Sequence, residues 1–367
     1  MKVFNPLEQH FGLRGNTEKK EEDMMSKKSV LINGVVAAMM LMATVLGGQA
    51  SAQSAADFFK GKTIKFISPQ GAGGGGDLIT RLTAKYLAPL IGASIGVVND
   101  TTAAGMSARN SFFRTAKPDG LTLMGDAAAP AIWLMEAEGV NFDLSKMYGL
   151  GAVRCAESGL VVHKDGPYNT FEKFKSGKGL KFGATTASAI PTMSNIAVLE
   201  ILGLNDAKIV IGFPSAAARR LALDQKEIDG LANTIDTATG DIEKGGKGLI
   251  LLAISVDRDP NFKNVPAISE FVKLTDYHKK LLDAVPLDYK QLFAPPGIPK
   301  DRLDYLRANI DKVFLDKGFQ QEAGKVQGVW QGAMTGIEHQ KYLDNLSNNK
   351  TDYLNTWKQL IDKFIQK

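Results

Sequence analysis

A strand, a run of glycines and a helix follow one another between Thr63 and Gly92, and few folds accept that order. Thr63–Ser68 is short, apolar and β-branched. Ser68-Pro69-Gln70 then leads into Gly71-Ala72-Gly73-Gly74-Gly75-Gly76-Asp77, with five glycines in the six positions before the aspartate. Leu78, Leu82, Tyr86, Leu87 and Leu90 recur at helical spacing until Gly92 stops the helix. A loop bare of side chains lets its amides point at a ligand, with the positive end of a helix behind them. Such a loop suits a phosphate or a carboxylate.

The pattern recurs along the chain. Ser94–Val98 reads as a strand ending in Asn99-Asp100, Met106–Thr115 as a helix, Lys117-Pro118-Asp119-Gly120 as a turn and Leu121–Met124 as a strand. A second strand–loop–helix unit follows: Leu180–Ala184, then Thr185-Thr186-Ala187-Ser188-Ala189-Ile190-Pro191-Thr192, then Met193–Leu202 closed by Gly203. Lys208–Gly212 leads through Phe213-Pro214-Ser215 into a helix over Ala216–Gln225, and Glu227–Leu231 leads to Asp236. This alternation predicts an α/β fold with a mostly parallel sheet and ligands bound beyond the carboxyl ends of the strands. The stripes Leu303, Leu306, Ile310, Phe314 and Tyr353, Leu354, Trp357, Leu360, Ile361, Phe364 read as core.

Lys27 and Lys28 precede an apolar run from Val30 to Leu46 and then Gly47-Gly48-Gln49-Ala50-Ser51-Ala52. A charged segment, an apolar segment too short to span a membrane and an Ala-x-Ala site make a secretory signal peptide over 25–52, cut before Gln53. Residues 1–24 read as an extension ahead of the true start at Met24 or Met25. No cysteine follows the apolar run to carry a lipid, so the expected product is a soluble periplasmic protein.

Cys155 is the only cysteine, so no intrachain disulfide forms. The net charge of +5 is scattered, with no basic block to hold nucleic acid. His163, His278 and His339, the histidines beyond the signal segment, lack metal-ligand spacing to one another or to the cysteine. No metal or cofactor is expected.

Several landmarks then stand in a familiar order: the glycine loop ending in Asp77, Arg81 four residues on, Val97-Val98-Asn99 with Gly105 after it, and Pro118-Asp119-Gly120-Leu121-Thr122-Leu123. Phe182-Gly183-Ala184-Thr185, Asp229 and Ala294-Pro295-Pro296-Gly297-Ile298-Pro299 complete the set. In these the chain resembles the periplasmic solute-binding receptors of tripartite tricarboxylate transporters, the Bug family. The resemblance implies a two-lobed periplasmic binding protein, type II-like, with a ligand cleft between lobes and two hinge crossings. It sets lobe I at 53–157 and 287–367 and lobe II at 158–286. It further implies a monomeric, non-enzymatic trap that closes on a small organic carboxylate and delivers it to the large and small membrane subunits of a transporter. The residues expected at the ligand are Gln70, Ala72, Gly73, Gly74, Gly75, Asp77, Thr185, Thr186, Ser188, Ala189, Thr192, Ser215 and Asp236.

This sequence departs from the family's pattern in both loops. The first reads Gly-Ala-Gly-Gly-Gly-Gly-Asp instead of Pro-Gly-Gly-x-x-Asp, and the second, Thr185 to Asn195, carries Pro191 and no histidine. The identity of the carboxylate is therefore not carried over. Asp77 reads either as the N-cap of its helix or as an acceptor for a ligand hydroxyl or amine. Arg154, near the expected lobe crossing, reads as a surface residue or as a partner for a second carboxylate. The rival reading is an exported dinucleotide-binding oxidoreductase: Gly71-x-Gly73-x-x-Gly76 fits that fingerprint and Asp100 ends the next strand. Polyglycine matches the fingerprint by composition alone, and the signal segment has no twin arginine for exporting a folded protein.

Overall fold

The computed structural model describes residues 54–284 and 289–365. The expected signal peptide and N-terminal extension lie outside them. From Ala55 onward the chain forms one unit built on two sheets.

The first sheet has the order β11-β4-β10-β3-β1-β2. Its strands are β1 (Thr63–Ser68), β2 (Ser94–Asn99), β3 (Thr122–Asp126), β4 (Tyr148–Arg154), β10 (Tyr289–Ala294) and β11 (Ala333–Met334). The second has the order β7-β6-β8-β5-β9. It contains β5 (Ser158–His163), β6 (Lys181–Gly183), β7 (Lys208–Val210), β8 (Gly230–Thr234) and β9 (Gly248–Ala253). The chain thus leaves the first sheet between β4 and β5 and returns between β9 and β10.

The expectation of a mostly parallel sheet needs correction. β1 pairs in parallel with β2 and β3, and β6 with β7 and β8. The strands flanking the two crossings, β4, β10, β5 and β9, are all antiparallel to their neighbours. β5 and β10 each arrive from the other sheet and not by a strand–helix–strand crossover within their own, which is the connection that sets neighbouring strands parallel.

Helices cover the sheets. α1 is Ala55–Phe59, α2 Gly75–Ile91, α3 Met106–Thr115, α4 Ala129–Leu134, α5 Phe171–Lys175, α6 Ile190–Ile201 and α7 Ala216–Asp224. α8 is Ile235–Glu243, α9 Asp276–Ala284, α10 Lys300–Leu315, α11 Lys317–Gln327, α12 Gly336–Asn348 and α13 Lys350–Phe364. Phe59, Ile64, Phe66, Ile79 and Leu87 pack with Leu303, Leu306, Ile310 and Phe314 into the core of the first sheet, as their spacing predicts. Along α2 the expected stripe is displaced: Leu82 and Leu87 are buried, but Leu78 and Leu90 are exposed. Because the helix starts at Gly75, its inner face is Ile79, Thr83, Leu87 and Ile91. Thr80 is buried too, packed so closely under β3 that a Cβ on Gly125 would stand 2.0 Å from its hydroxyl.

The last helix packs away from the sheet that precedes it. Trp357, Leu360 and Phe364 of α13 join Leu160, Phe182 and Ile196 in the core of the second sheet. Ile365 then bridges Ile209 of β7 in parallel. No helix of the described residues is long and apolar enough to cross a membrane.

Candidate functional site

The parallel strands β1, β2, β3, β6, β7 and β8 each run into a helix. Of these six helices, only α7 has its N-terminus capped by a side chain, Ser215 accepting from the Ala218 amide. α2, α3, α4, α6 and α8 begin at Gly74, Gly105, Ala128, Ala189 and Thr234 with no side-chain cap. Some of their first amides are taken locally, those of Met106 and Ser107 by the Ala103 and Thr102 carbonyls, Thr192 by Ala189, Ile235 by Glu157 and Thr237 by the Asp236 carboxylate, and the positive ends of the helix dipoles gather at the carboxyl edges of the strands. Elsewhere α5, α11 and α12 are capped in the ordinary way by Thr170, Asp316 and Thr335.

The first loop is held from beneath. Asp77 is fully buried; its Oδ2 accepts from the Gly73 amide at 2.9 Å and from Arg81 Nε at 2.9 Å, and its Oδ1 from Asn99 Nδ2 at 2.7 Å. Asn99 also donates to the Gln70 carbonyl at 2.8 Å and accepts from Arg81 Nη2 at 2.6 Å. Burial pushes the Asp77 carboxyl up, but the bonds from Arg81, Gly73 and Asn99 outweigh it and hold the group below its ordinary value. The N-cap reading of Asp77 is therefore corrected. Gly74 occupies that position, and Asp77, three residues further on, ties the loop back to the helix and to β2.

The glycines divide by what the fold asks of them. Gly73 has φ +80°, which favours glycine. A Cβ on Gly76 would stand 1.8 Å from Gln70 Oε1, so the carboxamide lies across the start of the helix. A Cβ on Gly74 would meet the Gly71 carbonyl at 3.2 Å. Gly71 and Gly75 have neither positive φ nor a close neighbour, yet both are glycine and exposed, as is Ala72. The side chain of Lys290 ends beside Gly75, its Cε 3.8 Å from where a Cβ would be.

In the second loop Thr192 is buried and its hydroxyl donates to the Thr186 carbonyl at 2.6 Å, closing the turn into α6. Thr185, Ser188 and Ala189 are half-buried and Thr186 is exposed. Asn195, one turn into α6, donates to the Gly183 carbonyl and accepts from the Ala232 amide, fixing β6 and β8 to the helix. Asp236 is in the first turn of α8, accepts from the Thr237 amide at 2.7 Å and lies against Gly328, just past α11. Among the described residues no hydrogen bond joins the 70–77 loop to the 185–192 loop.

Several structural residues escaped the sequence reading. Arg109 and Asp126, both buried, form a bidentate pair at 2.6 and 3.0 Å, and Arg109 Nη1 also donates to the Ala104 carbonyl. The pair locks together the loops after β2 and β3. At the first crossing the Glu157 amide donates to Asp259 Oδ2 at 3.2 Å, while Gln331 Nε2 reaches both oxygens of Asp259. Burial and the charge of Asp259 push the Glu157 carboxyl up to about 7 against the pull of Arg154. Arg154 itself is exposed, beside the ring of Tyr289.

Two α/β sheets joined by two strand-to-strand crossings, with a further passage that carries α13 back to the second, and helices without side-chain caps at the strand ends define the fold of the two-lobed periplasmic binding proteins. A TctC solute binding protein from Polaromonas superposes with a TM-score of 0.62 at 20% identity, over 83% of this chain and 99% of that one. The periplasmic binding protein BugD gives 0.59 at 19% over 83% and 99%. MatC from Rhodopseudomonas palustris, solved with bound malate, gives 0.59 at 19% over 82% and 99%. In sequence, a UPF0065 protein of Bordetella pertussis is 26% identical over 269 residues, 70% of this chain and 78% of that protein. No family profile matches the chain. The resemblance to the Bug receptors that the ordered motifs carry is thus borne out in sequence and in fold.

Proposed function

We propose that this chain is a periplasmic solute receptor, not an enzyme, which captures a small organic carboxylate between two lobes and delivers it to the membrane subunits of a tripartite tricarboxylate transporter. The observation that carries the reading is the exposed, side-chain-free backbone at Gly71 and Gly75, which the fold does not require, set at an uncapped helix N-terminus. Space and amide donors together suit an anion that approaches the main chain itself. The uncapped α6 after the 185–192 loop supplies a counterpart on the other sheet. MatC, with its bound malate, and an R. palustris protein solved with adipate (TM-score 0.60, 15% identity) lend the carboxylate class.

The lobe division follows the sheets, with 158–286 as lobe II and the flanking segments as lobe I, except that α13 packs with lobe II. Export through the 25–52 signal peptide completes the reading. The dinucleotide alternative is disfavoured by strand order. β1 lies between β2 and β3, whereas the dinucleotide fold places β2 between β1 and β3.

The test is thermal unfolding of the mature chain from Gln53 against mono-, di- and tricarboxylates and NAD. A ligand at about 100 times its dissociation constant adds about 2.7 kcal/mol. One carboxylate class should raise the melting temperature, and Gly75→Leu, which has room to fold, should abolish that rise. A rise with NAD alone, or a carboxylate response unchanged in Gly75→Leu, would overturn the reading.

A further inference from the structure

Among the described residues each sheet ends in two edge strands, and three of the four are closed off in ways common to sheet edges. β11 is only two residues long. β7 carries Ile365, which bridges Ile209. β9 has an irregular register against β5, and its Ala253 amide donates to the Pro266 carbonyl. β2 has none of these devices. It keeps a continuous register with β1 from Ser94 to Asn99, and no charged residue or proline stands between Gly92 and Asn99. Ser94 and Asp100 donate their amides inward, to the Lys62 and Ser68 carbonyls. Alternation along the strand then turns the main-chain groups of Ile95, Val97 and Asn99 outward, and among the described residues these have no partner.

Two residues of this edge are out of keeping with a lone molecule. Gly96 stands mid-strand without a positive φ, and a Cβ there would meet nothing within 4 Å. The fold does not require glycine at this point, and glycine weakens a strand, commonly where another backbone comes close. Val98, two residues on and on the same face, is 46% exposed.

We propose that β2 is the contact between two copies of this chain, paired antiparallel about a two-fold axis at Val97. Val97 then faces its own counterpart and Ile95 faces Asn99, so that every outward amide of one copy meets an outward carbonyl of the other. Val98 falls opposite Gly96 of the other copy, in the pairs where side chains stand closest, and the glycine leaves the space that the valine fills. The ends match in charge as well. Asp100 closes one end of the strand, and Lys60 lies over Gly92 at the other, its Cγ 3.6 Å from where a Cβ would be. Antiparallel pairing brings the Asp100 end of each copy to the Lys60 end of the other. The resemblance to the Bug receptors implies a monomer, whereas the open edge argues for a reversible pair. One shared strand edge is smaller than the about 1,600 Å² of a standard interface, so the pair forms at high concentration and separates on dilution. Asn99, whose side chain holds Asp77 and the Gln70 carbonyl, links the paired edge to the glycine loop. Because the paired strands run in opposite directions, the two glycine loops face opposite ways.

Sedimentation velocity of the mature chain from Gln53, between about 10 µM and about 1 mM, tests the pair. Wild type should move from monomer towards dimer as concentration rises. Amide exchange gives a readout that needs no variant: the amides of Ile95, Val97 and Asn99 should exchange more slowly at the higher concentration, and those of Gly96 and Val98, turned towards β1, should change little. Gly96→Lys with Val98→Lys sets lysine opposite lysine across the axis, and Gly96→Glu with Val98→Glu sets glutamate opposite glutamate. Each protein alone should stay monomeric while melting cooperatively, and an equimolar mixture of the two should recover the dimer. A lysine protein that dimerises like wild type, or a mixture that stays monomeric, would overturn the pairing. Wild type that is monomeric throughout, its three outward amides exchanging at one rate whatever the concentration, would overturn it too and leave the edge to an extended segment of another protein.

Discussion

Glu157→Gln gives the most quantitative test of how the two sheets are joined. Glu157 sits where the chain leaves β4 for β5, its amide on Asp259, which Gln331 in turn holds from the segment before β11. Burial, then the neighbouring negative charge of Asp259, lifts its carboxyl from an ordinary 4.5 to about 7, with Arg154 pulling the other way. A raised acid favours the folded state when protonated. The stability is therefore complete below about pH 4.5, declines between there and pH 7, and stays at its lower value above. A shift of roughly 2.5 units at 1.36 kcal/mol each makes the loss about 3 kcal/mol. Glutamine is neutral throughout and copies the protonated form, so the variant should match wild type near pH 4.5 and exceed it by about 3 kcal/mol at pH 8. At about 2 °C per kcal/mol for a chain of this size, that is a gain of about 6 °C. Melting curves of both proteins from pH 4.5 to 8.5 decide the matter. Parallel profiles, with no widening gap above pH 6, would refute the reasoning.

Two further substitutions probe the loop scaffold. Gly105→Ala should destabilise the protein by at least about 2 kcal/mol in urea unfolding, because Gly105 has φ +81° and a Cβ would stand 2.2 Å from the Pro69 carbonyl. Gly61→Ala, with φ +73° but open space, should cost only about 1 kcal/mol and isolates the backbone contribution. Asp77→Asn turns one accepting oxygen into a donor facing a donor in a buried setting, for a loss of about 1–3 kcal/mol. Since the Asp77 carboxyl is held below its ordinary value, its stabilisation is complete above about pH 4 and lost as pH falls further. The penalty measured by urea titration should be constant from pH 5 to 8 and should shrink only in stronger acid.

The elements that local pattern controls were legible. Thr63–Ser68 and Met106–Thr115 stand where the sequence places them, because alternating or helically spaced apolar residues and adjacent glycines state the element directly. β8, at Gly230–Thr234, was not marked out by local pattern, because its register is fixed from outside by β5 and by Asn195. The direction of β4, β5, β9 and β10 was not legible either, since no local signal records which sheet a strand joins. At the site, the glycines announced the loop, but Asp77 was readable only as a choice between cap and ligand group. Its real duty depends on Asn99, twenty-two residues away, and on the Gly73 amide.

The seating of α13 in the second core decides which half of the molecule depends on the chain's end. Trp357, Leu360 and Phe364 lie roughly a hundred residues beyond β9, the last strand of the sheet they complete. The half of the molecule encoded in the middle of the chain is therefore sealed by the chain's far end, and loss of the residues from Lys350 onward would strip cover from that half and not from the terminal one.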